Sequence, residues 1–327
     1  MTDDTVAAGV VGVGSMGRNH ARVYADLDGV DLVGVTDVDE QAAERVAEQH
    51  DTAARSRDDL LAAADVVSVA VPTQFHYETA RAALTADTDV LVEKPFVADP
   101  AKGRELIDLA DRRDRVLQVG HVERFNPAVR TLRDIVTELD IHAVSTERLG
   151  PPLDREIDDS VVLDIMIHDL DVVLDVVDGS VEQYGAVGTE DCRYANANLR
   201  FDSGVTANLT ASRVTQEKVR SLTISAADCR VKVDYLDQSI EIHRSSVPSY
   251  IHDEGTIRHR HENVVEQLTV ERTEPLQNEL ASFVEAARTR SGPVVTGEQA
   301  LSVLELTLAL DEAAQQTAAG GHPVSTD

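Results

Sequence analysis

Asp164 and His168 stand four residues apart in the run VVLDIMIHDLDVVLDVV, Val161 to Val177, and a helix over this run brings the two side chains together. A carboxylate beside an imidazole is an acid/base pair when its setting is dry enough to tune both pKa values. The rest of the run supplies that setting. Leu163, Ile167, Leu170, Leu174 and Val177 form one apolar stripe at helical period, flanked by Val161, Ile165, Val172 and Val176. The remaining narrow stripe, Asp164, His168, Asp171 and Asp175, either lines a cleft or faces water. A second chemical candidate is Lys94. The chain holds four lysines, Lys94, Lys102, Lys218 and Lys232, so one kept where arginine serves elsewhere suits a compact ammonium beside a reacting hydroxyl. The alternative is a solvated loop lysine.

These residues need elements to carry them. Residues 6 to 13, VAAGVVGV, read as a strand that runs into Gly12, Gly14 and Gly17 of GVGSMG, with Ser15 and Met16 between, before the helical NHARVYADL. Strand, glycine turn and helix in that order form a dinucleotide site: the turn lets backbone approach a pyrophosphate, and the helix N-terminus holds the anion. A second strand, VDLVGVTD, ends in Asp37, 20 residues beyond Gly17, where a carboxylate accepts from ribose hydroxyls. Asp37 would repel the extra phosphate of NADP and no Arg or Lys follows within several residues, so NAD is the expected cofactor. The competing role for Asp37, capping the next helix, suits Asp39 better.

Helices near 41–49 and 58–64 precede the strand Val66 to Val71, which ends in Pro72, Thr73 and His76. The strand DVLV then leads into Glu93, Lys94, Pro95 and Phe96. Asp99 and Pro100 read as N-cap and first-turn proline of a helix through Asp111, and the strand Arg115 to Gly120 delivers GHVERFNP at the same edge. Alternating strands and helices imply a doubly wound parallel sheet, which binds ligands at that carboxyl edge. Beyond Asn126, PAVRTLRDIVTEL reads as a linker helix. From Ile141 short strands separated by Gly, Asp or Ser imply a mostly antiparallel sheet with helices on one face. The expected division is a nucleotide-binding domain over 1–122, a substrate-binding and oligomerisation domain of the α+β class over 123–318, and a frayed tail over 319–327.

Bulk properties narrow the partners. Acidic residues number 59 against 30 basic, a net charge of −29, which disfavours nucleic acid. Self-repulsion on this scale is screened within about 3 Å at molar salt, so a halophilic source is expected. No apolar run reaches the roughly 20 residues of a membrane span, and no signal peptide is evident, so a cytoplasmic protein without membrane association is expected. Cys192 and Cys229 lack metal or redox spacing, and His259 with His261 reads as an exposed pair, so no metal site is expected.

Together, GVGSMG, the Pro72-Thr73 strand end with His76, EKPF at 93–96, DIMIHDLD and EPLQNELASFVEA resemble the glucose-fructose oxidoreductase, inositol dehydrogenase and MocA family of nicotinamide-dependent sugar and polyol dehydrogenases. The resemblance covers nearly the whole chain. It implies catalytic roles for Lys94, Asp164 and His168, and adds Glu93 and Pro95 to the cofactor site. His168 would take the proton of a sugar hydroxyl, Asp164 would orient it and Lys94 would hydrogen-bond the same oxygen. Family members frequently have a small residue where Met166 stands and a glycine where Ser160 stands, and Met166 would narrow the sugar pocket.

GHVERFNPAV with VVLDIMIHDLD is more similar to the nucleotide-sugar branch, which implies that His121, Arg124 and Asn126 bind substrate. The expected reaction is NAD-dependent oxidation of the 3-hydroxyl of a UDP-N-acetylhexosamine by a homodimer or homotetramer. Two other readings stay open: a free-sugar or polyol dehydrogenase acting on inositol, glucose or xylose, and a non-catalytic NAD-binding sensor.

Overall fold

The computed structural model describes residues 5–152, 159–245, 249–253, 256–260 and 263–319. The chain forms two compact units, one of residues 1–125 with 273–306, the other of 126–272 with 307–327.

The first unit alternates strand and helix: β1 (Val6–Val11), α1 (Ser15–Asp26), β2 (Val30–Thr36), α2 (Glu40–Gln49), α3 (Arg57–Ala63), β3 (Val66–Val69), α4 (His76–Thr85), β4 (Asp89–Glu93), α5 (Pro100–Arg113) and β5 (Leu117–Gly120). All five strands pair in parallel in the order β2-β1-β3-β4-β5, so the chain reverses direction of travel across the sheet at β1 and β3. That reversal opens a crevice at the strands' carboxyl ends. The helix starts follow local chemistry: Asp39 accepts from the Ala42 amide and Asp99 from Ala101, with Pro100 in the first turn.

The second unit holds α6 (Pro127–Val136), β6 (Ile141–Leu149), a π-helical turn (Val162–Met166) and α7 (Ile167–Val176). Then come β7 (Val181–Gly188), β8 (Tyr194–Phe201), β9 (Thr206–Ser212), β10 (Val219–Ala226), β11 (Cys229–Asp234), β12 (Ser239–Ser245), β13 (Ser249–Asp253), β14 (Thr256–Arg260) and β15 (Asn263–Leu268). Eight of these strands form one sheet, β15-β12-β11-β10-β6-β9-β8-β7, antiparallel except for the β6–β9 pair, while β13 and β14 pair separately. Alternate residues such as Ala195, Ala197, Leu199 and Phe201 are buried, because successive strand side chains point to opposite faces and α6 and α7 cover one of them. The mostly antiparallel α+β reading of this half holds.

Two helices close the chain, α8 (Pro275–Thr289) and α9 (Gly297–Ala319). Here the expected division needs correction. The break falls at 125/126 and not at 122/123, and segment 273–306 belongs to the first unit. The cause is apolar burial: Leu276, Leu280, Phe283 and Val284 of α8 share one core cluster with Val10, Ala21, Val23 and Tyr24. From Thr307 the rest of α9 belongs to the second unit. The expected frayed tail, apart from Ala319 in α9, lies outside the described residues, as does His261.

Candidate active site

A cavity of about 990 Å³ opens at the carboxyl ends of the parallel strands, lined among others by Gly12, Gly14, Met16, Asp37, Pro72, Thr73, Glu93 and Lys94. Its floor is the glycine turn. Gly12 has φ +90°, and a Cβ there would lie 2.7 Å from the Ala70 carbonyl oxygen. A Cβ on Gly17 would lie 1.8 Å from the Gly12 carbonyl oxygen, so only glycine lets α1 start this close to β1. A Cβ on Gly14, which caps α1, would meet no atom within 4 Å, and the first turn of α1 carries no acidic residue. An open cradle at an uncompensated helix N-terminus fits a pyrophosphate. Ser15 is exposed at the first position of α1. Gly17→Ala is therefore expected to abolish measurable NAD binding in a fluorescence titration; full affinity in that variant would exclude this turn from the site.

Asp37 directly follows β2, its carboxylate fixed by two amides, Val13 N–H at 2.6 Å and Asp39 N–H at 2.9 Å. Asp39 does cap α2, so the competing role for Asp37 is filled. Arg57 and Asp58 also line the cavity. This arginine was not anticipated, because it lies 20 residues beyond Asp37 in sequence and reaches the same cavity only through the fold. Its guanidinium sits 3.3 Å from Asp58.

Lys94 lies just past β4, half-buried, with its amide donating to the Glu93 carboxylate at 3.2 Å and the Lys94–Pro95 peptide cis. Glu93 and His20 are both buried and meet at 2.8 Å, tying α1 to the end of β4. Burial pushes the Glu93 carboxyl up, but the His20 hydrogen bond, with the charges of His20 and Lys94, outweighs it and holds that carboxyl below the usual range. A depressed carboxyl contributes stability above its ordinary pKa, near 4.3, which is lost as pH falls through the folded-state value. His20→Leu removes the hydrogen bond and charge of His20 while burial and the influence of Lys94 remain, so the acid-unfolding midpoint should move to higher pH by circular dichroism. An unmoved midpoint would refute the pairing.

His76, expected at the cofactor site, is among the residues that line this cavity. Its side chain is buried, with Nε2 2.8 Å from the Val71 carbonyl oxygen and Nδ1 3.0 Å from that of Pro95. Burial lowers its pKa. It borders the cavity as a clamp between the end of β3 and the loop carrying Lys94.

In the second unit the acid/base run departs from a regular helix. Its first turn is π-helical, with Ile167 N–H bonded to the Val162 carbonyl, and the wider turn takes Leu163 and Ile165 off the buried stripes that α-period assigned them. Val162 and Met166 are buried instead. Asp164 lies in this turn and His168 near the start of α7, both half-buried. Ser160 precedes the turn, its hydroxyl bonded to Asp311 of α9 and accepting from Leu163 N–H at 3.2 Å.

Two arginines in this unit escaped the sequence reading. Arg213, just past β9, donates to the Asp164 carboxylate, and Arg148 of β6 forms a buried two-pronged pair with Asp169 of α7 at 2.8 and 2.9 Å. An Arg in a strand-rich run carries no sequence signal of its partner. Asp175 of the polar stripe is half-buried as a residue and pairs through its side chain with Arg133 at 2.9 Å, because α6 packs on α7 there; Asp178 is exposed.

His121, Arg124 and Asn126, expected to bind substrate, are only 1%, 2% and 2% exposed. Asn126 caps α6 by accepting from Ala128 N–H, and its side-chain amide donates to the Tyr235 carbonyl. The cause of this burial in the first unit is α8, which packs over the turn Val122–Phe125 and whose Asn278 donates to the Phe125 carbonyl. Among the described residues no group of three His, Cys, Asp or Glu could hold a metal ion, and no helix is long and apolar enough to cross a membrane.

A glycine-turn dinucleotide site on a parallel sheet, joined to an antiparallel α+β unit carrying an Asp and His pair, defines a class of nicotinamide-dependent oxidoreductases. Residues 6–121 match the oxidoreductase family with an NAD-binding Rossmann fold, and 139–243 match the GFO/IDH/MocA C-terminal domain. The chain belongs to the GFO/IDH/MocA family and is an NAD-dependent dehydrogenase. It is 38% identical over 240 residues to UDP-N-acetylglucosamine 3-dehydrogenase of Acidithiobacillus ferrooxidans, covering 72% of this chain and 76% of that protein. A solved structure of an enzyme so named from that organism superposes with TM-score 0.86 at 32% identity, covering 96% of this chain and 99% of that one. Inositol 2-dehydrogenase/D-chiro-inositol 3-dehydrogenase of Halalkalibacterium halodurans is 30% identical over 222 residues, 62% of this chain and 61% of that protein.

Proposed function

We propose that this dehydrogenase oxidises a secondary hydroxyl of a sugar, specifically the 3-hydroxyl of a UDP-N-acetylhexosamine. The observation that carries the reading is the 38% identity to an enzyme of that name over most of both chains. NAD, when bound, supplies the acceptor for the hydride. His168 takes the hydroxyl proton, Asp164 orients the imidazole, and the Lys94 ammonium hydrogen-bonds the same oxygen as it becomes a carbonyl. Asp37 accepts from the cofactor's ribose. Gly12, Gly14, Ser15, Met16 and Gly17 surround its pyrophosphate, while Pro72, Thr73, Glu93 and Pro95 bound the same site. We keep His121, Arg124 and Asn126 as substrate-binding residues on the same likeness to the nucleotide-sugar enzyme; all three side chains are buried in this structure.

The test is a substrate screen in molar salt, following NADH absorbance. NADH formation with UDP-N-acetylglucosamine, and none with glucose, xylose or inositol, is expected. The reverse pattern would replace the reading with a free-sugar or polyol dehydrogenase, and NAD binding without any turnover would replace it with a sensor.

We also propose a cytoplasmic homodimer or homotetramer in a salt-accumulating cell. The net charge of −29 supports the last point, and the free thiols of Cys192 and Cys229 suit a reducing compartment. Circular dichroism on dilution to about 50 mM salt should show loss of structure, because screening then fails to reach between neighbouring carboxylates; full stability there would contradict it.

A further inference from the structure

We propose that Arg213 is the positioning residue of the acid/base pair: by bridging Asp164 to the Asp159 carbonyl it holds the π turn so that Asp164 can orient His168. The inference rests on the reading of Asp164 and His168 given above. Arg213 follows β9, and its own amide is bonded to the Arg193 carbonyl at 2.9 Å, which fixes the base of the side chain. One arm of its guanidinium donates to the Asp159 carbonyl at 2.8 Å and another to the Asp164 carboxylate. The two acceptors flank the start of the π turn, so one planar group spans it.

Such a turn needs outside support. Its hydrogen bonding departs from the regular helical ladder, and π turns are rare except where a function retains them. The Ser160 hydroxyl, bonded to Asp311 and accepting from Leu163 N–H, also ties down the turn, and Arg213 reaches the carboxylate of Asp164 itself. The burial of the pair separates their roles: the Arg213 side chain is 9% exposed and that of Asp164 31%. The arginine thus stands behind the carboxylate and acts through it, while the carboxylate keeps an accessible side. Arginine suits this place because its rigid fork reaches two acceptors in fixed directions, which the point charge of lysine does not.

The test measures kcat and KM with UDP-N-acetylglucosamine and NAD for Arg213→Met, Arg213→Lys, Asp164→Asn and the double variant Arg213→Met/Asp164→Asn. Arg213→Met should lower kcat about tenfold or more with the KM for NAD unchanged, and Arg213→Lys should recover part of the loss. In the Asp164→Asn background, Arg213→Met should change kcat by less than about twofold, because an arginine acting through Asp164 has nothing left to position. Additive losses, or wild-type kcat in Arg213→Met, would overturn the inference. If Arg213→Met does not fold, the lysine variant decides: reduced kcat at unchanged NAD affinity supports the bridge, and wild-type kcat overturns it. Wild-type kcat in Asp164→Asn would overturn the reading of the site itself, whereas a slow Asp164→Asn beside a fully active Arg213→Met overturns only the role of Arg213.

Discussion

Replacing His168 with alanine is expected to lower turnover at least about a hundredfold while leaving NAD affinity nearly intact. General acid/base help from a positioned side chain is worth about 10² to 10⁴ in rate, and alanine offers no group to accept the proton. The cofactor cradle belongs to the first unit and His168 to the second, so the two readouts separate. Steady-state NADH formation gives kcat, and fluorescence titration gives the NAD dissociation constant. A loss confined to kcat, equal in kcat/KM, is the signature of an interaction made in the transition state. An unchanged rate would remove His168 as the base.

The second large effect concerns stability. Asp169→Ala leaves the buried Arg148 guanidinium without the carboxylate that grips its Nε and Nη2, 2.9 and 2.8 Å away. Removing one partner of such a pair costs about 3–5 kcal/mol, because the remaining charge has lost its water without compensation. The Tyr235 ring, 5.5 Å from that guanidinium, offsets only part of this, about 0.5–2 kcal/mol for a cation over a ring. Arg148 belongs to β6 and Asp169 to α7, so the pair fastens the helix of His168 to the sheet. Thermal unfolding of Asp169→Ala should fall well below wild type, and Arg148→Met/Asp169→Leu should recover much of the loss, since it leaves no unpaired charge. A single variant as stable as wild type would contradict this account of the pair.

Much of this was legible in the chain because it is local. The β1 run, GVGSMG and the helix after it are consecutive, and the Asp39 and Asp99 caps lie within three residues of the amides they hold. What escaped depends on groups far apart in sequence. Nothing in EPLQNELASFVEA says that its apolar face joins the core of the first unit and not that of the strands preceding it. The burial of Arg124 follows from the same helix, which packs on the turn Val122–Phe125. His76, read at a strand end, is buried, its ring held between the nearby Val71 carbonyl and those of Pro95 and Phe96 on the next strand's loop.

The run Val161 to Val177 was legible as an apolar helix with a polar stripe, but a uniform 3.6 period carries no sign of the π turn that holds Asp164. Nor does it reveal Arg213 and Arg148, which arrive from β9 and β6 and pair with Asp164 and Asp169. Charge composition could not point to them, since each is one of 30 basic residues among 59 acidic ones.

The central claim is that a hydride leaves C3 of a UDP-linked N-acetyl sugar and arrives on NAD. Incubating the enzyme with UDP-N-acetylglucosamine deuterated at C3 alone, in molar salt, and weighing the reduced cofactor by mass spectrometry tests it directly. The account predicts NADH one mass unit heavier than from unlabelled sugar; reduced cofactor without deuterium would contradict it.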